Sequence, residues 1–171
     1  PKADIKANKE IIDQSATNAR KKMAAEKVDK KYSLISEIKQ NSENQIKDFF
    51  IAFNKEAQSN SPTEEKVKNL ANFKNLSLTN DDYNALFTLN KEQINQLESI
   101  LIESLDVAYE SPITEGNNQQ LTDAKDNALT VIIESSLPQQ IKNIASSMVE
   151  NLIKPTFVFD QQATEEAVNE A

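Results

Sequence analysis

Three pairs of adjacent carboxylates are the side chains whose types could do acid–base chemistry: Glu64–Glu65, Asp81–Asp82 and Glu165–Glu166. General acid–base catalysis needs groups that converge on one reacting proton. Neighbours along a helix point in different directions, so none of these pairs converges through its spacing. A di-iron bundle would need Glu-x-x-His motifs, and the chain has no His. With no His and no Cys, the usual zinc sites, thiol nucleophiles, His-based triads and disulfides drop out as well. The single glycine, Gly116, excludes phosphate loops and dinucleotide fingerprints, which need several glycines for close backbone approach. The expectation is a protein that is not an enzyme and carries no cofactor and no metal. The paired acids have a plainer use at helix starts, where negative charge complements the helix dipole.

Binding chemistry has more to work with. Arg20, Lys21, Lys22, Lys27, Lys30 and Lys31 form a basic run that suits an acidic partner. The commoner meaning of such a run is a solvated helix face, with Glu26–Lys30 as one supporting pair. No aromatic residue interleaves with these charges, and the chain as a whole carries −8, so nucleic acid is not the expected partner. Phe49 and Phe50 are adjacent and cannot easily share one core with each other and with Ile51. Phe50 is therefore a candidate exposed apolar residue. Phe157 and Phe159, in a small apolar hook near the end, are two more.

Almost every element that must position these residues reads as helix. From Lys2 to Ala57 there is neither Gly nor Pro, and Tyr32, Ile35, Ile38, Ile46, Phe49 and Phe53 recur at helical spacing. This segment is one long helix or a helix pair. Ser61-Pro62-Thr63-Glu64 reads as a start with Ser61 as N-cap and Pro62 as first helical residue. Thr79 and Asn90 are further N-caps, and Ser136 is a candidate cap beside Pro138. Ile94, Leu97, Ile100, Leu101, Leu105 and Ala108, joined by Ile102 and Val107, make a helix apolar over more than half its girth, which implies burial on two sides. A final helix through Ile141, Ala145, Val149 and Leu152 should end near Ile153, because the residue before Pro155 avoids helical geometry.

The expected architecture is all-α: a single domain over 1–160, built as a bundle of about five or six helices. Residues 1–31 can form an extended arm, and 161–171 are an acidic tail. No apolar run approaches the roughly 18 residues of a bilayer span. Charge is unevenly placed: net +3 over 1–57, −5 over 58–111 and −6 over 112–171.

The small and β-branched residues followed by Leu152-Ile153 make 141–153 similar to the vinculin-binding helices of talin-like proteins and their bacterial mimics. That resemblance implies a helix that inserts into a partner's groove. A helix-period stripe is more often simply core, which is the expectation here. In general character the acidic, Lys/Asn-rich, Gly-poor chain resembles the helical surface or secreted proteins of host-associated bacteria with AT-rich genomes. The resemblance implies a virulence-associated, extracytoplasmic binding protein whose partner is another protein, such as a host protein. Two other classes compete. One is a structural scaffold or coiled-coil dimerisation module, although sustained Leu/Ile heptads are lacking. The other is a carrier of lipid or another apolar ligand, which would need an internal cavity.

Overall fold

A computed structural model of the chain describes residues 34–158, and Ile35 opens the compact unit to which the features below belong. The arm 1–31, its basic run and the tail 161–171 lie outside the described residues. The described residues form an all-α bundle of six α-helices and one 3-10 helix: α1 (34–57), α2 (Thr63–Asn69), a 3-10 helix (Ala71–Leu76), α3 (Asn80–Leu86), α4 (Lys91–Ala108), α5 (Asn118–Glu134) and α6 (Gln139–Leu152). Extended structure among them is limited to an isolated parallel bridge between Thr114 and Phe157.

On α1 the buried positions are Ile35, Ser42, Ile46, Phe49 and Phe53, with Glu43 and Phe50 as a second buried edge. Steps of three, four and seven keep them on one broad face. The helix runs out at residue 57 as expected, and a turn built on Ser59 follows. Here the structure corrects the sequence reading. Ser61 does not cap α2: its amide donates to Ser59 Oγ (3.0 Å), and Ser59 Oγ donates to Ser61 Oγ (2.9 Å). Pro62 takes the N-cap position instead, in an extended conformation, and its carbonyl accepts from the Glu65 and Lys66 amides. Beyond Leu70 the chain tightens into the 3-10 helix, with Phe73 off helical geometry. This kink puts both Leu70 and Leu76 into the core.

Thr79 and Asn90 act as foreseen, each in a complete capping box. Thr79 Oγ1 accepts from the Asp82 amide (3.1 Å), and Asp82 Oδ2 accepts from the Thr79 amide (2.9 Å). Asn90 and Gln93 repeat the exchange at 2.8 and 3.0 Å. Asp82 thus has the helix-start role its position suggested. Asn117 caps α5 through the Gln120 amide, just after Gly116 turns the chain at φ 83°. Ser136 does not cap α6. Its Oγ accepts from Gln96 Nε2 at 2.6 Å, tying the loop to α4, while Pro138 occupies the N-cap. Thr79→Ala and Asn90→Ala should therefore each cost about 1 kcal/mol. Ser61→Ala and Ser136→Ala should stay within about 0.5 kcal/mol. Urea unfolding followed by circular dichroism distinguishes the two groups, and equal losses in all four would refute the assignment.

Helix α4 sits against both α5 and α6. It buries Ile94, Leu97, Ile100, Leu101, Ser104, Leu105 and Ala108, and Ile102 packs against the core from a second side. The expected two-sided burial is met. Ser104 Oγ satisfies itself by donating to the Ile100 carbonyl (2.7 Å). Helix α5 meets the core with Ala124, Ala128 and Ile132, and its small residues let the backbones approach closely. Helix α6 buries Ile141, Ile144, Ala145, Met148, Val149 and Leu152, so the apolar face that resembles a groove-inserting helix is occupied by the domain's own core. The helix ends at Leu152 with Ile153 extended, two residues before Pro155.

Candidate functional site

The aromatic residues come together, but not at the surface. Phe50 is 1% exposed, which overturns its assignment as an exposed residue. Its ring lies edge-on to Phe49 at 5.2 Å and to Phe53 at 6.3 Å. Phe49 also meets Phe73 (5.4 Å) and Tyr83 (6.5 Å), and Phe53 stacks on Phe87 at 4.8 Å. Adjacent phenylalanines can both be buried because α1 is covered over a broad arc. The residue left outside is Ile51, at 71% exposure. Phe157 is half-buried and packs against the core, which corrects its assignment too, while Val158 beside it is 76% exposed. Phe159, like Arg20, Lys21, Lys22, Lys27, Lys30 and Lys31, lies outside the described residues.

Two polar features on α1 went unforeseen. The first is a carboxyl pair. Glu43 on α1 is buried to 9% exposure and lies near Asp106 on α4, whose side chain is 45% exposed. Asp106 Oδ1 receives Lys39 Nζ at 3.1 Å. Burial, then the neighbouring Asp106 carboxylate, push the Glu43 carboxyl up to about 7, against the weaker pull of Lys39 and Lys47. For Asp106 burial acts upward but is outweighed by the neighbouring Glu43 carboxyl, the bond from Lys39 and the charges of Lys39 and Lys47, which leave it below its ordinary value. Burial also raises Glu98 on α4, opposed by Lys47.

The second feature is a buried polar junction one residue away. Ser42 Oγ lies 3.4 Å from the Leu152 carbonyl and 3.5 Å from Tyr109 Oη. Tyr109 Oη donates to that same carbonyl (3.0 Å) and accepts from the Lys154 amide (3.1 Å). Three parts of the chain far apart in sequence meet here: α1, the end of α4, and the segment leaving α6. That segment is then held along the loop after α4. The Thr156 and Phe157 amides donate to the Ile113 carbonyl, the Ile113 amide donates to Thr156 Oγ1 (3.0 Å), and the Glu115 amide donates to the Phe157 carbonyl.

Elsewhere the surface offers shallow features. One hollow of about 370 Å³ is lined by Thr63, Glu64, Val67, Lys68, Asn80 and Asn84. Another of about 490 Å³ lies along residues 114–118. Among the described residues no group of three or more His, Cys, Asp or Glu side chains could hold a metal ion, and no helix is long and apolar enough to cross a membrane.

Comparison with known proteins gives one assignment. The family model described as 7TM-HD extracellular (7TMR-HDED) matches residues 1–171. No curated protein and no solved structure matches the chain.

Proposed function

The chain belongs to the 7TM-HD extracellular family, and from that premise we propose that it is a non-enzymatic binding domain, displayed outside the cell by a bacterial membrane protein and acting through contact with another protein. The observation that carries the reading is the match of an extracellular family over all 171 residues. The chemistry of the chain supports it. The exposed carboxylates at helix starts serve caps and dipoles, and the buried faces of α4, α5 and α6 are spent on the core, leaving Ile51, Ile133 and Val158 as exposed apolar side chains. An outward-facing role therefore rests mainly on polar surface. The strongest contrast there is between the net +3 of residues 1–57 and the strongly acidic remainder. Arg20, Lys21, Lys22, Lys27, Lys30 and Lys31 are the side chains assigned to the partner. A host protein with an acidic face is the partner of choice for a surface-displayed protein of this charge pattern.

The test compares the 171-residue chain with a variant in which these six residues are changed to Glu, both immobilised and challenged with candidate extracellular proteins. The wild type should retain a partner at about 50 mM salt and lose much of it by about 0.5 M, because exposed charges are screened within a Debye length. The variant should lose the partner at both. Retention by the variant equal to wild type would remove the basic face from the proposal. Light scattering on the free chain decides the competing scaffold reading, which requires a dimer whose population rises with concentration.

A further inference from the structure

We propose that residues 154–157 are a releasable strap, which closes and opens as one unit while the helices stay folded, and which α1 reaches through Ser42 and Tyr109. This goes beyond the binding reading and stands without it, since it concerns how the bundle holds the segment that leaves α6.

The hold on the chain changes in kind after α6. The helix ends at Leu152, and Ile153 is still sunk in the core. Lys154 and Pro155 are exposed, and Pro155 has no amide to donate. What fixes the segment from here is a row of hydrogen bonds to two places. The first is Tyr109, the residue that closes α4, whose Oη accepts from the Lys154 amide at 3.1 Å. The second is the stretch from Ile113 to Glu115. The Thr156 hydroxyl is buried and acts there as both acceptor and donor. Its Oγ1 accepts from the Ile113 amide (3.0 Å) and donates to the Ile113 carbonyl (3.2 Å). The Thr156 and Phe157 amides turn to that carbonyl too, and the Phe157 carbonyl accepts from the Glu115 amide. Phe157, half-buried, is the one large apolar side chain of the strap.

These bonds are too close together along the chain to break singly. Pro155 lies between Lys154 and Thr156, and its ring fixes φ, which leaves little slack there. Lifting Thr156 from Ile113 therefore draws the Phe157 carbonyl from the Glu115 amide and the Lys154 amide from Tyr109. Water then reaches Ile113 and Thr156, both buried while the strap is closed, and the freed groups find partners in it. Opening breaks hydrogen bonds but leaves the buried side chains of α4, α5 and α6 in place. Segments held in this way belong to the low-stability end of a fold.

Tyr109 connects the strap to α1. Its Oη donates to the Leu152 carbonyl (3.0 Å) while it accepts from Lys154. Ser42 Oγ lies 3.5 Å from that oxygen and 3.4 Å from the carbonyl. Both contacts are near the limit of hydrogen bonding, so a small displacement of α1 breaks them first. Ser42 acts on the strap through the Tyr109 hydroxyl, as a positioning residue. Whatever favours one placement of α1 then shifts the balance between closed and open strap.

The experiment is native-state hydrogen exchange on the 171-residue chain at low urea concentrations. It reads the amides of Ile113, Glu115, Lys154, Thr156 and Phe157 against that of Leu101 in the middle of α4. The strap amides should share one opening free energy, lower than that of Leu101 and nearly independent of urea. Thr156→Val keeps the shape and removes the hydroxyl. Exchange at Lys154 and Glu115, whose amides bond elsewhere, should then accelerate by about tenfold, together with Phe157. Ser42→Ala should accelerate the same amides by about threefold. Unequal free energies across the strap, or exchange with the urea dependence of Leu101, overturn the single unit. Acceleration confined to Ile113 in Thr156→Val does the same. An unchanged Lys154 in Ser42→Ala overturns the link to α1. Should Thr156→Val fail to fold, wild-type exchange and Ser42→Ala still decide both points.

Discussion

Replacing Phe53 by alanine is expected to destabilise the domain by about 3–5 kcal/mol and to lower its thermal midpoint by roughly 10 °C or more. The side chain is fully buried and sits at the centre of an aromatic group. Its ring stacks on Phe87 at 4.8 Å with 13° between planes, lies 5.7 Å from Phe49, and meets Phe50 edge-on at 6.3 Å. Alanine would remove the transfer free energy of the ring and leave a void. The neighbours cannot close that void cheaply, because Phe87 is fixed at the end of α3 and Phe49 is wedged between Phe73 and Tyr83. Geometries of this kind add about 0.5–1.5 kcal/mol per aromatic pair beyond buried area. Ile51→Ala, two residues away on the same helix, removes a side chain that is already in water and should change stability by no more than about 0.5 kcal/mol. Chemical unfolding of both variants reads the contrast directly. A loss under about 1 kcal/mol for Phe53→Ala would mean that the aromatic group is not the packed centre of this end of the bundle.

Much of the scaffold around that group was legible in residue spacing. The Thr79 and Asn90 boxes, the end of α1 at residue 57 and the stop of α6 before Pro155 depend on local chemistry, which a sequence displays in full. Ser61 and Ser136 failed as caps for a different reason. Each hydroxyl found a competing partner, Ser59 for one and Gln96 for the other, and the second lies 40 residues away. Phe50 was misassigned because one helix was given one core. The shoulder carrying Glu43 and Phe50 is also covered, and Lys39, one helical turn before Glu43, reaches Asp106 on α4. An acid on an apolar shoulder was the available signal, since a buried carboxyl demands a partner. The identity of its neighbour was not available, because Glu43 and Asp106 belong to helices joined only through the tertiary fold. The polar junction is less legible still: Ser42 and Leu152 are separated by 110 positions, and the acceptor is a backbone carbonyl with no side-chain signature.

Tyr109→Phe tests that junction by removing one oxygen and nothing else. The Lys154 amide would lose its acceptor and the Leu152 carbonyl one of its donors. A buried polar group left without a partner costs about 1–3 kcal/mol. Ser42 Oγ, at 3.4 Å, still reaches the Leu152 carbonyl and limits the damage on that side. Lys154 is an exposed residue, so water can take up its amide, and the net expectation is a loss of about 1–2 kcal/mol, set mainly by the bond lost at the buried Leu152 carbonyl. Because that amide belongs to the exit segment, the change should be local first. Hydrogen exchange should accelerate at Lys154, and at Thr156 and Phe157 where the segment is held to Ile113, before it changes in the middle of α4. Ser42→Ala should cost less alone. Combined with Tyr109→Phe it should cost more than the two singles added, since the second change removes the remaining side-chain donor to Leu152. Strict additivity in that cycle would mean that the two hydroxyls act independently. A stability loss with no change in exchange at Lys154 would confine the role of Tyr109 to joining α1 and α6, and would separate the exit segment from the helix that carries Glu43.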